Sequence, residues 1–336
     1  MTTMTAAVTT TFGTPPELDQ VQVPQPGPGE VLVRVRAVGL CGSDLKINRG
    51  VIPTVTLPLI QGHEVAGEVA GQAAGLADGQ RVALYIHRPC GICAWCRRGQ
   101  TNQCRNDSRL GFERNGGLAE YVIARPQDLV SFGDGLAFES AAVSMDAVLT
   151  PWRAVHRRAK VQAGDYVLVV GAGGLGLNAV QIAVAAGAHV GVMDIAAARR
   201  DGTLELGAEL AVAPEDAAEL IEWSDGGVTA ALEMSGSPDG FNSALAATRD
   251  GGTVVCCGYR PGTDLTVDWT RLTLAEMVLM GSRGGTIDDA REAVAAVERG
   301  EIRPLIAKTG SLADAPTFFD ELAAGEGLGR LVVLQP

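Results

Sequence analysis

Four cysteines in one short stretch carry the densest chemistry in this sequence. Cys90, Cys93, Cys96 and Cys104 stand as C-x2-C-x2-C-x7-C within PCGICAWCRRGQTNQC. Two-residue gaps let successive thiolates turn back onto one metal ion, and Gly91 and Gly99 permit the bends. Four thiolates satisfy tetrahedral zinc completely and leave no position for substrate, so the cluster reads as a structural zinc site. An iron–sulfur cluster is the nearest competing occupant. A DNA-binding zinc ribbon would use similar ligands, but the neighbourhood offers Arg97 and Arg98 without a sustained basic face.

Two earlier segments also hold reactive types: Cys41-Gly42-Ser43-Asp44 and Gly62-His63-Glu64. One Cys and one His about twenty residues apart in a β-rich region could share a metal, although each alone is more often a core residue. Further on, Gly171-Ala172-Gly173-Gly174-Leu175-Gly176 follows the apolar run YVLVV and opens a helical segment. Strand, glycine loop, helix and a downstream acid together predict a dinucleotide site. Gly171 allows the tight turn, Gly173 lets backbone meet pyrophosphate, and Gly176 lets helix pack on strand. The phosphates then face a helix N-terminus. Asp194, after the second strand, can accept hydrogen bonds from both ribose hydroxyls and would repel a 2′-phosphate, which favours NAD. Arg199 and Arg200 keep NADP as the second candidate.

These groups must be positioned by two kinds of structure. The first third reads as β-rich, with strands over 31–38, 62–69, 81–86 and 119–124 between Gly and Pro turns. Near Leu149 the rhythm changes to alternating strands and helices. Strands are expected at 166–170, 189–193, 229–234, 253–257 and 277–280, with a helix from the glycine loop to about Ala186. That alternation predicts a parallel sheet covered on both faces. A helix over 288–299 and a strand over 331–334 close the pattern. Cys256 and Cys257 end an expected core strand and read as packing residues. His87, His156 and His189 lie on no metal-like spacing.

Size and composition set outer bounds. A chain of 336 residues implies two domains. A net charge of -12 argues against nucleic acid or an anionic membrane as the main partner. No charged start followed by an apolar core is present, and the apolar runs are too short for a membrane span. Seven cysteines, an odd count without a secretion signal, favour ligand use over a disulfide framework. The cytoplasm is the expected compartment.

CGSD, GHEVAG, the four-cysteine lobe, GAGGLG and the terminal GRLVVLQP, in this order and spacing, resemble the zinc alcohol dehydrogenases of the medium-chain dehydrogenase/reductase family over nearly the whole chain. The resemblance implies an α/β protein. A GroES-like β-barrel catalytic domain would comprise residues 1–147 and 286–336, with its zinc lobe at about 88–106. A Rossmann-type doubly wound parallel sheet over 148–285 would bind NAD, with the active site in the cleft between the domains. Carried over by position, Cys41 and His63 become catalytic zinc ligands. The third falls on Asp146, four residues ahead of Thr150, where many relatives have Cys and others Asp or Glu. Two anionic ligands, one neutral imidazole and a zinc dication sum to zero.

Ser43 then matches the Ser/Thr that takes the substrate proton, Asp44 orients His63, and Glu64 sits behind the metal. Thr150, Gly171, Gly173, Gly174, Leu175, Gly176, Asp194, Arg199 and Arg330 fall to the cofactor, Arg330 reaching the pyrophosphate and also able to meet Glu64. Animal-type members end a proton relay in a His where this chain has Lys46, here read as a surface residue or ribose contact. The implied protein carries two zincs and NAD, acts on a small alcohol or carbonyl, and forms a homodimer or homotetramer. A reductase of activated C=C or C=N bonds on the same scaffold is the alternative, although such relatives often lack the zinc ligands. A non-enzymatic zinc- or dinucleotide-binding protein is the third reading.

Overall fold

The computed structural model describes residues 2–71, 75–325 and 327–336, which fall into two compact units: Met1–Ala147 with Gly285–Gly300 and Ile306–Pro336, and Val148–Gly284 with Glu301–Leu305. The first unit is built on two β-sheets. Its larger sheet runs in the order Ile306–Gly310, Arg330–Leu334, Val31–Leu40, Glu64–Ala70, Arg81–Leu84, Leu129–Ser131, with Tyr121–Ala124 also pairing with Val31–Leu40. The smaller sheet joins Glu17–Gln22, Thr3–Thr9 and Leu59–Ile60.

Val31–Leu40 is the organising strand of the first unit. Val31, Val33 and Val35 are buried while Arg34 points out, as alternation demands; from Ala37 to Leu40 every residue is buried. The strand thus changes from a one-sided to a two-sided element as it delivers Cys41. Val38 and Leu40 join Val65, Leu118 and Phe318 in the apolar core.

The strand expected over 62–69 begins at Glu64 instead. Gly62 has φ +90, which turns the chain before His63, and a Cβ there would lie 2.7 Å from Val38 Cγ1. Other boundaries shift similarly: Arg81–Leu84 and Tyr121–Ala124 are shorter than expected, and Val31–Leu40, Arg330–Leu334 and Thr248–Cys256 are longer. The helix near 288–299 spans Ile287–Glu298, capped by Thr286 and Asp289 in a reciprocal box. Thr3–Thr9, Glu17–Gln22, Leu210–Val212 and Ile306–Gly310 are strands that the sequence reading did not contain. Thr3–Thr9 is nearly all buried and shows no period of two, so alternation could not mark it.

In the second unit six parallel strands run in the order Leu210–Val212, His189–Met193, Tyr166–Val170, Val228–Glu233, Thr248–Cys256, Val278–Gly281. The order reverses at Tyr166–Val170, the first strand of the unit, which makes its C-terminal end the switch point of the sheet. That is the usual ligand position in a doubly wound sheet. Leu168, Val170, Ala231 and Val254 supply core residues on the strands, with Phe241 and Leu245 from the helix Pro238–Ala247.

Gly67 tests the packing of the central strand pair. A Cβ at this position would stand 2.1 Å from the Arg34 carbonyl oxygen, backbone that the ladder itself holds in place. Gly67→Ala is therefore expected to lower the thermal midpoint, with a loss of about 1–3 kcal/mol typical of overpacking. A melt indistinguishable from the parent would show that the strands separate freely at this point.

Candidate metal and cofactor sites

Cys41 follows the organising strand and caps the helix Gly42–Asn48. Its Sγ accepts from Ser43 N at 3.3 Å, and its own N–H donates to Asp44 Oδ2 at 2.9 Å. His63 Nε2 lies 3.0 Å from Cys41 Sγ and 3.8 Å from Asp146 Oδ2. On the other side of the ring, Nδ1 stands 3.4 Å from Asp44 Oδ1; both residues are fully enclosed, and neither atom has a hydrogen-bond partner. Phe112 covers the imidazole with ring centroids 5.1 Å apart.

Asp146 reaches this cluster from a π-helical turn, Ser144–Val148, that continues the helix Phe138–Val143. Such a turn rotates the side chains that follow it and recurs at functional sites. No feature of the sequence marked it. Glu64 completes the group: one ligand atom from each of Cys41, His63, Glu64 and Asp146 lies within 4.8 Å of all the others. Gly39 makes room for Glu64, since a Cβ there would fall 2.1 Å from Glu64 Oε2.

Burial would push the His63 imidazole down, but Cys41, Asp44 and Asp146 outweigh it and hold the ring well above its ordinary value. Burial raises Glu64 to about 7, against the pull of Arg330. Arg330 is itself buried, with Nη2 2.8 Å from Glu64 Oε1 and 3.4 Å from Asp146 Oδ2. Burial opposes its charge, and Glu64, Cys41 and Asp146 together raise it above its ordinary value. The donor set fits a cation. Ligands roughly 2.0–2.3 Å from a tetrahedral zinc stand about 3–4 Å apart, and a neutral His63 would present Nε2 to the ion while its Nδ1–H turned to Asp44.

Ser43 is partly buried beside Cys41 on the first turn of Gly42–Asn48. One turn on, Lys46 is half-buried, which corrects its reading as a surface residue; burial pushes its ammonium down.

The four remaining cysteines of metal spacing meet as their spacing predicts. Cys93 Sγ lies 3.5 Å from Cys96 Sγ and 4.0 Å from Cys104 Sγ, and Cys90 N donates to Cys104 Sγ at 3.3 Å. All seven cysteines are free thiols. Separations near 3.5–4 Å suit four sulfurs around zinc and exclude a bonded pair, whose sulfurs stand about 2.05 Å apart. Backbone N–H groups, that of Cys96 first, lower Cys93 to about 6, while burial raises Cys96 to about 12.

In the second unit the glycine loop leads from Tyr166–Val170 into the helix Gly176–Ala185. Gly171 has φ +90, and a Cβ on Gly176 would meet the Gly171 carbonyl oxygen at 1.9 Å. A Cβ on Gly173 would meet nothing within 4 Å, so the loop presents bare backbone to open space. That is the cradle a pyrophosphate needs. Gly174 and Leu175 complete the turn, Leu175 as the residue before the helix. Asp194 is buried, and its carboxylate accepts from Ala172 N at 2.7 Å and from Ala196 N at 2.8 Å. It therefore braces the loop, a duty that sequence reasoning did not assign. Arg199 Nη1 is 3.9 Å from Asp194 Oδ2, and Arg200 Nη1 donates to the Asp194 carbonyl at 2.8 Å. Thr150 is buried in the helix Leu149–Arg153.

Cys256 packs on the core of the parallel sheet, but it and Cys257 also border a cavity of about 270 Å³ beside Glu233 at the C-terminal end of the strands. Packing alone does not describe them. His87, His156 and His189 join no metal cluster among the described residues; His87 Nδ1 pairs with Asp107 at 2.5 Å, His156 lies against Trp152, and His189 pairs with Glu209.

Comparison with known proteins agrees with this geometry. Residues 27–134 match the alcohol dehydrogenase GroES-like domain, and residues 174–299 match the zinc-binding dehydrogenase domain. An alcohol dehydrogenase of Geobacillus stearothermophilus is 34% identical over 98% of this chain and 99% of its own, and one from Rhizobium meliloti is 34% identical over 98% of both. The structure of a cobalt- and zinc-bound thermostable alcohol dehydrogenase from Pyrobaculum aerophilum superposes with a TM-score of 0.89 at 28% identity, covering 99% of this chain and 100% of that one. Sequence, fold and metal-binding clusters converge: the chain belongs to the zinc-type alcohol dehydrogenases of the medium-chain dehydrogenase/reductase family, enzymes that act on CH–OH donors.

Proposed function

We propose that this enzyme oxidises small alcohols, or reduces the matching carbonyls, with NAD(H) in preference to NADP(H). One zinc is held by Cys41, His63 and Asp146 and a second by Cys90, Cys93, Cys96 and Cys104. The observation that carries the reading is the buried cluster of Cys41, His63, Glu64 and Asp146, whose donor atoms converge within 4.8 Å. When bound there, zinc supplies Lewis-acid polarisation of the substrate oxygen and lowers its pKa.

The chain's own residues do the rest. Asp44 orients His63, with its other carboxylate oxygen anchored on Cys41 N. Arg330 neutralises Glu64 and leans on Asp146, which keeps both carboxylates in place. Ser43 would accept the hydroxyl proton of the alcohol while its own hydroxyl proton passes on to solvent, and the carbinol hydride would go to the nicotinamide of NAD. Glycines 171, 173, 174 and 176 with Leu175 cradle the cofactor's pyrophosphate, and Asp194, Arg199, Thr150 and Arg330 complete its contacts. Retention of three zinc ligands favours carbonyl chemistry over reduction of C=C or C=N bonds. No helix among the described residues is long and apolar enough to cross a membrane, and seven free thiols suit the reducing cytoplasm.

A homo-oligomer is supported by the sheet edge of the second unit. Val278–Gly281 is an edge strand, and Val278 is 42% exposed beside a helix, Trp269–Leu274, whose Trp269 and Leu274 are about four-fifths exposed. An unpaired apolar edge invites a second copy across a two-fold axis. Val278→Lys combined with Trp269→Glu is expected to yield monomers by light scattering; an unchanged mass would place the interface elsewhere.

The two metal sites should fail differently. A closed four-thiolate site contributes folding energy directly, so Cys93→Ser should lower the thermal midpoint and soluble yield along with zinc content. Asp146→Ala should reduce kcat/KM by roughly 100-fold or more, since even partners behind a ligand are worth 10–100-fold, while the fold and NADH binding persist. Metal analysis should find two zincs in the parent and one in Asp146→Ala. Full activity and unchanged zinc in that variant would remove Asp146 from the site.

Cofactor preference rests on Asp194. A 2′-phosphate beside it sets like charges together at a cost of several kcal/mol. The parent should show higher kcat/KM with NAD. Asp194→Ser should narrow the gap roughly ten-fold and also weaken NAD, because Ala172 N loses its acceptor. Parity between cofactors in the parent would contradict the assignment.

A further inference from the structure

A second cavity in the first unit involves none of the metal ligands. It measures about 370 Å³ and lies among the strands Thr3–Thr9, Glu17–Gln22, Leu59–Ile60 and Tyr121–Ala124. That volume falls within the range of small-molecule sites, roughly 300–1,000 Å³. Met4, Val8, Val21, Leu59 and Val122 make an apolar wall. The charged lining consists of Arg88, Arg114 and Glu30, two guanidiniums against one carboxylate.

The carboxylate is already committed. Glu30 accepts from Arg88 Nη2 and from the Gly27 N–H. The two other acids near Arg114 are committed as well: Asp128 holds Arg125 at 2.6 and 2.9 Å, and Asp107 accepts from Arg88 N and pairs with His87. Arg114 is fixed by Nε to the Ser108 carbonyl at 3.1 Å and by Nη1 to the Ile123 carbonyl at 3.3 Å, with no carboxylate in contact among the described residues. Burial, with Arg88 and Arg125 close by, pushes its guanidinium down to about 10. A rigid, largely desolvated guanidinium that touches only carbonyl oxygens, with the acids around it engaged elsewhere, has donor capacity left over, and a carboxylate is a partner whose shape matches it.

We propose that this cavity binds a monocarboxylate with a short hydrocarbon tail, its head on Arg114 and its tail along Met4, Val8, Val21, Leu59 and Val122. The head group sets the charge selectivity and the wall sets the tail length. Neither feature is required by the dehydrogenase reaction, so the site is a separate binding function of the first unit.

Titration calorimetry on the zinc-loaded enzyme with sodium octanoate tests this. Octanoate is expected to bind one equivalent, with sodium acetate and octylammonium each at least ten-fold weaker. A carboxylate can also meet the catalytic metal, so the titration is repeated on Asp146→Ala, where octanoate affinity should be unchanged. Val21→Trp, which fills the cavity from an edge strand and leaves Arg114 intact, should weaken octanoate at least ten-fold, as should Arg114→Met if it folds. Octanoate affinity retained in Val21→Trp, lost in Asp146→Ala, or matched by octylammonium would overturn the proposal.

Discussion

Negative charge is concentrated around one buried imidazole, and much of the first unit is arranged to tolerate it. The carboxylates of Asp44, Glu64 and Asp146 and the sulfur of Cys41 crowd the His63 ring, with Arg330 paired to Glu64 and Asp146 on one side. Two like charges 4 Å apart repel by roughly 4 kcal/mol at an effective dielectric of 20. Such a cluster is poorly balanced until a dication enters, and the rise of Glu64 to about 7 reflects the burial that makes it so. The fold supplies the restraint: a helix cap holds Cys41 and Asp44, a glycine turn aims His63, Gly39 opens space for Glu64, and a π turn swings in Asp146.

The second unit solves a different problem with the same economy of backbone. Its glycine loop must come close to its own helix and leave room outside. Gly176 is packed so tightly that no side chain fits, whereas Gly173 faces open space. Asp194 holds the loop through Ala172 N, and in the proposed cofactor site the same carboxylate would face the ribose. On that proposal cofactor selection and loop geometry would be coupled in one side chain, so a change to the first would disturb the second.

What was legible in the sequence was local in the chain. The four-cysteine lobe and the glycine loop are each contained within sixteen residues or fewer, so spacing alone described their geometry. Cys41, His63 and Asp146 needed a family resemblance, since their proximity depends on strand pairing and on a π turn that leaves no mark in composition. The Glu64–Arg330 pair spans 266 positions and came from the same resemblance. Its extension to Asp146 was not foreseen. Strand limits were missed where a glycine with positive φ cut a regular pattern, as at Gly62, or where full burial erased alternation, as in Thr3–Thr9. Lys46 looked like a surface residue because a charged side chain is usually exposed; its helix is packed around Asp44 and Ile47, which half-buries it.

The central claim is that Asp146, drawn in by a π turn, completes a cation site with Cys41 and His63. Anomalous diffraction at the zinc absorption edge, from crystals of the native enzyme, tests it most directly. Two peaks per chain are expected, one surrounded by Cys90, Cys93, Cys96 and Cys104, the other with Cys41 Sγ, His63 Nε2 and an Asp146 carboxylate oxygen at roughly 2.0–2.3 Å. A single peak at the four cysteines, or a second ion bound without Asp146, would contradict it.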